Sequence, residues 1–480
     1  MASLTKSSLT AGALKALGIF GGVQSINIIF SIVRTKLIAV WIGAAGVGLF
    51  GIYNSAIELL SIVFNLGIRD SAVRDIAASS DSSKNSIIII VRRWALALGA
   101  IGLIITALFS PLLSNITFDN FDHTYAFIAI AFIIFLSSIQ NGELAILQGS
   151  KRLSQLAKAS VWGVVVGVIL SIPMFYFWGI DSVIPALVTY SLATTLAVMT
   201  QRVNIKKPRP YVSVNDTLKK GQSFIYLGIF LTISTIVSHL VSFLFIIYLN
   251  NVGDTTIVGH YQAGFTIVNR YMGIIFTAII MEYYPRLSQV KDSQNRTSTF
   301  VSHEISIMLW VLLPAIALFV ASSELIVKLL YSSDFIVILP FIVSAVVGTI
   351  FRAISWCMAY VILARGDGKI YLLTESTSAI ICIILNIVAY NIWGLDGLGY
   401  AYAVWYMIYA LIIGVIYHYR YKLNLGKGII RLSMLASLIA LICSISYTLW
   451  GWIIPAIIGI VILPIAIKRI LRKKALRVQH

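Results

Sequence analysis

Charged residues are scarce in this chain of 480 residues. Asp, Glu, Lys and Arg make up 11% of the sequence, whereas soluble proteins carry about a quarter of such residues. Apolar residues make up 59%, which is more than one aqueous core can hide. A soluble globular domain is therefore excluded, and the sequence predicts an all-α polytopic membrane protein that uses lipid as its solvent.

Cysteines and catalytic motifs are also sparse. The three cysteines lie in apolar runs, and their spacing suits neither a disulfide nor a metal site. The sequence has no GxxxxGKS or GxxxxGKT phosphate loop, no HExxH and no GxSxG. His239 and His260 are isolated, and we expect packed or cavity histidines. We therefore predict no catalytic residue, no metal site and no cofactor.

Long apolar runs dominate what is present. A helix needs about 20 apolar residues to cross a bilayer, and fourteen runs of that kind can be counted, numbered here as spans 1 to 14. They lie near 16–42, 46–66, 87–110, 124–147, 157–178, 182–201, 222–249, 257–281, 302–322, 335–363, 370–392, 396–418, 431–448 and 452–467.

The net charge of +18 comes from Lys and Arg residues whose placement follows the membrane spans. This placement gives no sign of a nucleic-acid partner. Lys and Arg occupy every second gap between the spans, and the opposite gaps hold acidic residues with one cation, Lys328. Cytoplasmic loops carry such an excess of cations. The alternation predicts that both termini are cytoplasmic. The basic segments are 69–93, 151–158, 202–220, 286–296, 365–369, 420–431 and 468–477.

Two echoes indicate an internal repeat across the basic loop at 202–221. Val47-Gly48-Leu49-Phe50 matches Val258-Gly259-His260-Tyr261, and Ile146-Leu147 matches Ile362-Leu363. The interpretation is a six-helix lobe at 1–215, a second lobe at 216–425, and an extra helix pair with a basic tail at 426–480. Parallel repeats of this kind hold their ligand between the halves, near the middle of the membrane.

Ionisable groups inside the spans are functional candidates because their burial in lipid is costly. Four cations predict a site for an anion such as a diphosphate, whose oxygens Arg can grip in pairs. The cations are Arg34, Lys36, Arg270 and Arg352, and the amides on the same polar faces are Asn27, Asn54 and Asn269. The candidates for ion coupling are Glu58, Glu143 and Glu375.

Structural alternatives remain open for three of these charges. Arg34 could pair with Glu58 as a structural lock, and Lys36 could extend its amine to the membrane surface. Glu143 lies within about two helical turns of the cytoplasmic end of its span, where water could solvate its carboxylate.

Residues Leu14 to Ala77 resemble the opening of Wzx-type polysaccharide flippases of the MOP superfamily. The matching segments are Arg34-Thr-Lys36-Leu-Ile-Ala-Val-Trp-Ile-Gly43, Gly46-Val-Gly48-Leu-Phe50 and Gly67-Ile-Arg-Asp-Ser-Ala-Val-Arg74. The end of span 4, Ile146-Leu147-Gln148-Gly149, and its copy at Ile362 to Lys369 also fit. The layout of about 10–420 is covered.

The resemblance implies two six-helix lobes in a V around a central cationic cavity, lined here by Arg34, Lys36 and Arg270. It implies a bacterial inner-membrane transporter that moves an undecaprenyl-diphosphate-linked oligosaccharide to the periplasmic leaflet, for O-antigen of lipopolysaccharide or for common antigen. It also suggests coupling to H⁺, Na⁺ or the membrane potential, and cooperation with the polysaccharide polymerase and chain-length machinery. The extra helix pair could form a groove for the lipid tail.

Two other functions stay open. A MATE-like ion-coupled exporter of small molecules shares the lobed layout, but it should favour anionic residues in its cavity. A membrane polymerase or ligase is the second alternative, and such enzymes usually carry a large periplasmic loop. The longest outside loops here are about a dozen residues.

Overall fold

The structure is a computed structural model that describes residues 6–65, 67–79, 81–205 and 211–478. These described residues are almost entirely helical, and no β-strand occurs among them. The prediction of an all-α membrane protein is confirmed. The middle of the basic loop, residues 206–210, lies outside the described residues.

The chain divides into two compact units, Met1–Val258 and Gly259–His480. The first unit contains α1 (Lys6–Asn65), α2 (Ile68–Ala78), α3 (Asp81–Leu108), α4 (Ser110–Phe118), α5 (Thr124–Gly149), α6 (Leu153–Trp178), α7 (Val183–Thr200) and α8 (Val214–Val252). Helix α9 (Thr255–Thr266) crosses the boundary. The second unit continues with α10 (Gly273–Val290), α11 (Gln294–Ala321), α12 (Ser323–Leu330), α13 (Leu339–Ala364), α14 (Gly368–Tyr419), α15 (Lys427–Trp450) and α16 (Ile453–Val478).

Ten helical stretches of the described chain are long and apolar enough to cross a membrane. Three of them, of 44, 48 and 52 residues, are about twice the length that one crossing needs. Each of these three folds back on itself, so the ten stretches are long enough for thirteen crossings. Predicted span 8 corresponds to α9, a π-helical turn at Ile267–Tyr271 and α10, and its helical path is distorted by that turn.

Glycines with positive φ make these reversals. Gly43 divides α1 into two arms with φ 66° and ψ −167°, and Gly394 divides α14 with φ 62° and ψ −143°. The two arms of α14 lie side by side, because the Trp405 indole donates a hydrogen bond of 2.9 Å to the Ser378 hydroxyl. A continuous helix would separate those residues by about 40 Å.

The two units repeat the same local geometry. After α5, the amides of Ser150, Lys151 and Arg152 donate to the carbonyls of Ile146, Gln148 and Leu147. After α13, the amides of Arg365, Gly366 and Asp367 donate to Val361, Leu363 and Ile362 in the same order. Equivalent residues therefore differ by a constant 215. The sequence match of Ile146 with Ile362 was one residue out, since Ile146 corresponds to Val361.

The same register continues into the hairpins that follow. Gly179, between α6 and α7, has φ 60° and ψ −138°, nearly the values of Gly394. The sequence around these glycines is Trp178-Gly179-Ile180-Asp181 in the first unit and Trp393-Gly394-Leu395-Asp396 in the second. This is the clearest repeat in the chain. The matching segments at spans 2, 4, 8 and 10 do not include these two hairpins.

The extra helix pair packs within the second unit. Helix α15 lies against α11 and α13, and α16 lies against α11. A Cβ atom on Gly459 of α16 would lie 2.8 Å from the Leu318 side chain of α11, which shows how closely the two helices approach. The predicted boundaries at 215 and 425, and the cytoplasmic location of the termini, stay predictions.

Candidate functional site

A cavity of about 490 Å³ lies inside the first unit, between α1, α5, α6 and α7. Its polar lining is mostly uncharged. Amides come from Gln24, Asn27, Asn54 and Gln140, and hydroxyls from Ser137, Ser160, Tyr190, Ser191 and Thr194. Arg69, at the start of α2, is the single charged residue among the described residues that line it. Two of the predicted amides, Asn27 and Asn54, are thus brought to one site.

Helix geometry explains why these amides face the cavity. Gln24 and Asn27 are three residues apart on the first arm of α1, so they share one face of that arm. The reversal at Gly43 then brings Asn54 of the second arm beside them. The Oδ1 atom of Asn27 is buried and accepts no hydrogen bond from the described residues. Buried acceptors are rarely left unpaired, which suits a ligand that donates hydrogen bonds.

Arg34 contacts Tyr190 of the cavity wall but is not among the described residues that line the cavity. Its guanidinium lies 4.7 Å from the ring centroid of Tyr190, which lines the cavity, and 5.1 Å from that of Phe50. Attraction to two aromatic faces offsets part of the cost of placing a cation there. Lys36 is half-buried on the same arm of α1 and is not among the described residues that line the cavity.

Glu58 is joined to the cavity through Asn54. The Asn54 amide donates a hydrogen bond of 2.9 Å to Glu58 Oε1, and His239 Nδ1 of α8 lies 3.8 Å from Glu58 Oε2. Both acidic and imidazole groups are partly exposed. His239, which is isolated in the sequence, therefore has an acidic neighbour in the fold. A partner 181 residues away in the chain leaves no local signal.

Glu143 is held in a buried ion cluster that the sequence did not reveal. Its carboxylate, 2% exposed, accepts from Arg92 Nε at 2.6 Å and from Arg202 Nε at 2.8 Å. Arg92 also donates to the carbonyl of Val203. The cluster ties the segment after α7 to α3 and α5, so the two arginines that we had assigned to basic loops are structural partners.

Arg352 lies in an aromatic box in the second unit. It is 9% exposed, and its Nη1 donates to Asn269 Oδ1 at 2.9 Å and to the Tyr402 hydroxyl at 3.2 Å. The rings of the box are 5.0 to 5.6 Å from its guanidinium carbon and belong to Phe276, Trp356 and Tyr406. Two predicted site residues, Arg352 and Asn269, therefore meet, and Arg270 beside them on the π-helical turn is exposed.

Glu375 is also paired within the second unit. Its Oε1 accepts a hydrogen bond of 2.5 Å from the Tyr409 hydroxyl, across the two arms of α14. No cluster of three or more metal-ligating side chains occurs among the residues that the structure describes. None of the three predicted coupling acids lines the cavity of the first unit directly.

An apolar groove of about 410 Å³ lies between α13, the second arm of α14 and α15. The groove is therefore partly built by the extra helix pair. Ser437 is the single polar residue among the described residues that line it, and the others are Val347, Phe351, Ala403, Val404, Met407, Leu438 and Leu441.

His123, just before the start of α5, is a titratable residue packed against two aromatic side chains. His123 Nδ1 is 2.7 Å from the Tyr53 hydroxyl, and its ring stacks on Phe118 with centroids 3.7 Å apart. Burial lowers the pKa of His123, and the neighbouring Asp122 carboxylate opposes that shift. Tyr53 and His123 are 70 residues apart in the chain, so this contact leaves no local signal in the sequence.

Solved structures of transporters share this fold. The lipid II flippase MurJ in an inward closed conformation aligns over 95% of this chain and 99% of its own, with 16% identity and a TM-score of 0.70. An inward-facing multidrug resistance MATE transporter of the MOP superfamily covers 86% and 95%, with 15% identity and a TM-score of 0.66. A MOP-superfamily transporter from Pyrococcus furiosus covers 85% and 96%, with 16% identity and a TM-score of 0.59.

Sequence comparison assigns the family. No curated protein sequence matches the chain significantly. The model of the family described as "Polysaccharide biosynthesis protein" matches residues 37–340, which is more than half of the chain. The resemblance to polysaccharide flippases of the MOP superfamily is confirmed. The chain belongs to the polysaccharide biosynthesis protein family, and it has the fold of the MOP-superfamily transporters.

Proposed function

We propose that this transporter flips an undecaprenyl-diphosphate-linked oligosaccharide from the cytoplasmic to the periplasmic leaflet of the bacterial inner membrane. The observation that carries the proposal is the polar lining of the cavity in the first unit, which is uncharged apart from Arg69. Amides and hydroxyls both donate and accept hydrogen bonds, as sugar hydroxyls do. The family's connection with polysaccharide biosynthesis supports a glycan as the cargo.

The cations suit the diphosphate. Arg69 lines the cavity and Arg34 lies behind Tyr190 on its wall, while Arg270 is exposed on the π-helical turn of the second unit. Guanidinium groups bind phosphate oxygens in pairs, and a low dielectric strengthens the interaction. Arg352 fits this role less well, because it is buried and its guanidinium already donates hydrogen bonds to Asn269 and Tyr402.

The apolar groove beside α15 supports a place for the prenyl chain. A chain that stays in lipid needs an apolar path along the protein, and this groove has almost no polar lining. Alternating access would then expose the diphosphate and sugars on the other side. The cargo shifts the balance of the two states only through its different affinity for them.

A coupling ion would act at Glu58 on this proposal. Its carboxylate lies beside His239 and accepts a hydrogen bond from Asn54, which lines the cavity. Glu143 is held by two arginines and Glu375 by Tyr409, so a change of protonation there would break structural contacts.

The MATE-like exporter remains the second candidate because MATE transporters have the same fold. A cavity for cationic drugs should contain a carboxylate, since a buried cation needs a counter-charge. Among the described residues that line the cavity of the first unit, there is none.

The test is complementation of a strain that lacks its own polysaccharide flippase. The wild-type chain should restore surface glycan. Arg34→Ala and Arg270→Ala should each reduce it at equal protein levels, while Arg74→Ala, an exposed arginine paired with Asp75, should not. Drug resistance without any effect on glycan would favour the exporter. Undiminished glycan in the Arg34 and Arg270 variants would remove the diphosphate mechanism.

A further inference from the structure

The two units carry side chains of different size and charge at equivalent positions. Residues that differ by 215 occupy the same place in the repeat, so each lining residue on α5, α6 and α7 has a counterpart on α13 or α14. Ser137 corresponds to Arg352 and Ser160 to Glu375. On α7, the three residues Leu187, Ser191 and Thr194 correspond to Tyr402, Tyr406 and Tyr409.

The larger residues fill the second unit. Tyr402, Tyr406 and Tyr409 are 4 to 8% exposed, and Arg352 lies among aromatic rings. Their polar atoms are used inside the protein, since Arg352 bonds to Tyr402 and Tyr409 bonds to Glu375. The pocket described between α13, α14 and α15 in this unit has an almost wholly apolar lining.

The small side chains of α5, α6 and α7 therefore contribute to the cavity of the first unit. These helices carry Ser, Leu and Thr beside a cavity of about 490 Å³, whereas α13 and α14 carry Arg352 and three tyrosines at equivalent positions, where their side chains are buried. Small polar residues in place of large ones cost packing energy. Such a loss is tolerated where the space serves a ligand.

We infer that the cavity of the first unit is a subsite for uncharged sugar rings of the cargo, and that the second unit has no such subsite. The inference rests on the proposed function. Amides and hydroxyls satisfy the sugar hydroxyls, and the buried Oδ1 atom of Asn27 offers an acceptor for a sugar O–H donor. A sugar carboxylate would enter without a dedicated counter-charge, because Arg69 is needed for the diphosphate.

The probe is a polyprenyl diphosphate in three forms: without sugar, with one N-acetylhexosamine, and with one hexuronic acid. Dissociation constants are measured with the full-length protein in lipid nanodiscs. The wild type should bind the N-acetylhexosamine lipid about tenfold more tightly than the lipid without sugar, as one or two well-made hydrogen bonds provide. The hexuronic acid lipid should gain nothing.

The double variant S137F/S160F fills the cavity from half-buried positions on α5 and α6. It should abolish the tenfold preference for the sugar-bearing lipid over the lipid without sugar. The matched control is I128F/V166F, which adds the same rings at exposed positions of the same two helices. Gln140→Met and Asn27→Leu remove hydrogen-bonding groups at nearly constant volume, so they test the subsite even if the double variant does not fold.

The outcomes separate the two proposals. Equal binding of the sugar-bearing and sugar-free lipids by the wild type, or a preference that survives in the Gln140→Met and Asn27→Leu variants, would overturn the subsite. A hexuronic acid lipid that binds as tightly as the N-acetylhexosamine lipid would overturn its restriction to uncharged sugars. If none of the three lipids binds, the proposed function itself is wrong.

Discussion

At the scale of single residues, Arg352 shows how a buried charge can be structural. Its guanidinium is held by two hydrogen bonds and three aromatic rings, and it lies beside the π-helical turn that carries Arg270. Arg270, by contrast, is exposed. The two arginines therefore have different consequences when removed, although the sequence placed both in the same predicted site.

We expect Arg352→Met to lower the free energy of unfolding by about 3 kcal/mol, because it removes two charge-assisted hydrogen bonds and leaves Asn269 Oδ1 with the longer bond from the Tyr402 hydroxyl alone. Arg270→Met, at an exposed position, should change it by less than about 0.5 kcal/mol. Thermal unfolding in detergent compares the two. An Arg352→Met protein that is as stable as wild type but fails to transport would return Arg352 to the cargo site.

His123 gives a prediction of pH dependence. Burial lowers the pKa of His123 in the folded protein below its pKa in the unfolded chain. Between these two pKa values the unfolded histidine is protonated and the folded one is neutral, so protons favour unfolding. Stability should be complete above about pH 6.5 and should fall as the pH decreases from there towards the lower folded pKa. His123→Gln should flatten that part of the melting-temperature profile, and an unchanged slope would contradict the assignment.

At the scale of elements, the ion cluster at Glu143 fastens the connection between α7 and α8. Arg92 and Arg202 meet at one buried carboxylate. On the same stretch, Arg93 Nη1 donates to the carbonyl of Val212 at 2.8 Å, and the Trp94 indole donates to the carbonyl of Thr217 at 2.7 Å. Helix α3 thus holds both ends of the connecting segment that the structure describes.

Glu143→Gln should lower the free energy of unfolding by about 3 kcal/mol, because it leaves Arg92, which is 14% exposed, without its counter-charge. The control is Asp75→Asn, which breaks the exposed pair with Arg74 and should cost less than about 1 kcal/mol. Chemical denaturation followed by tryptophan fluorescence measures both. If Glu143 instead carries a coupling proton, Glu143→Gln will keep its stability and change the pH dependence of transport.

At the scale of the whole molecule, the sequence was informative wherever a signal is local. Apolar runs located the spans, and residue types within them located Asn27 and Asn54 at the cavity. The box around Arg352 could not be predicted, because its rings come from α10, α13 and α14 and meet only in the folded chain. The partners of Glu143, 51 and 59 residues away, were hidden for the same reason.

The two units carry side chains of different size at equivalent positions. The last prediction replaces a residue of the second unit, Tyr409, with the residue type of its counterpart in the first unit, Thr194. Tyr409→Thr removes a buried ring and the hydrogen bond to Glu375. It should lower the free energy of unfolding by about 3 kcal/mol or more, since the loss of a buried aromatic side chain leaves a cavity.

The same variant should bind the N-acetylhexosamine lipid no more tightly than the wild type does, because it adds one hydroxyl and none of the amide side chains that line the cavity of the first unit. Unfolding in detergent and lipid binding in nanodiscs are measured on one preparation. A Tyr409→Thr protein of undiminished stability and higher affinity for the sugar-bearing lipid would mean that both units can hold the glycan, and that the difference between them is one of degree.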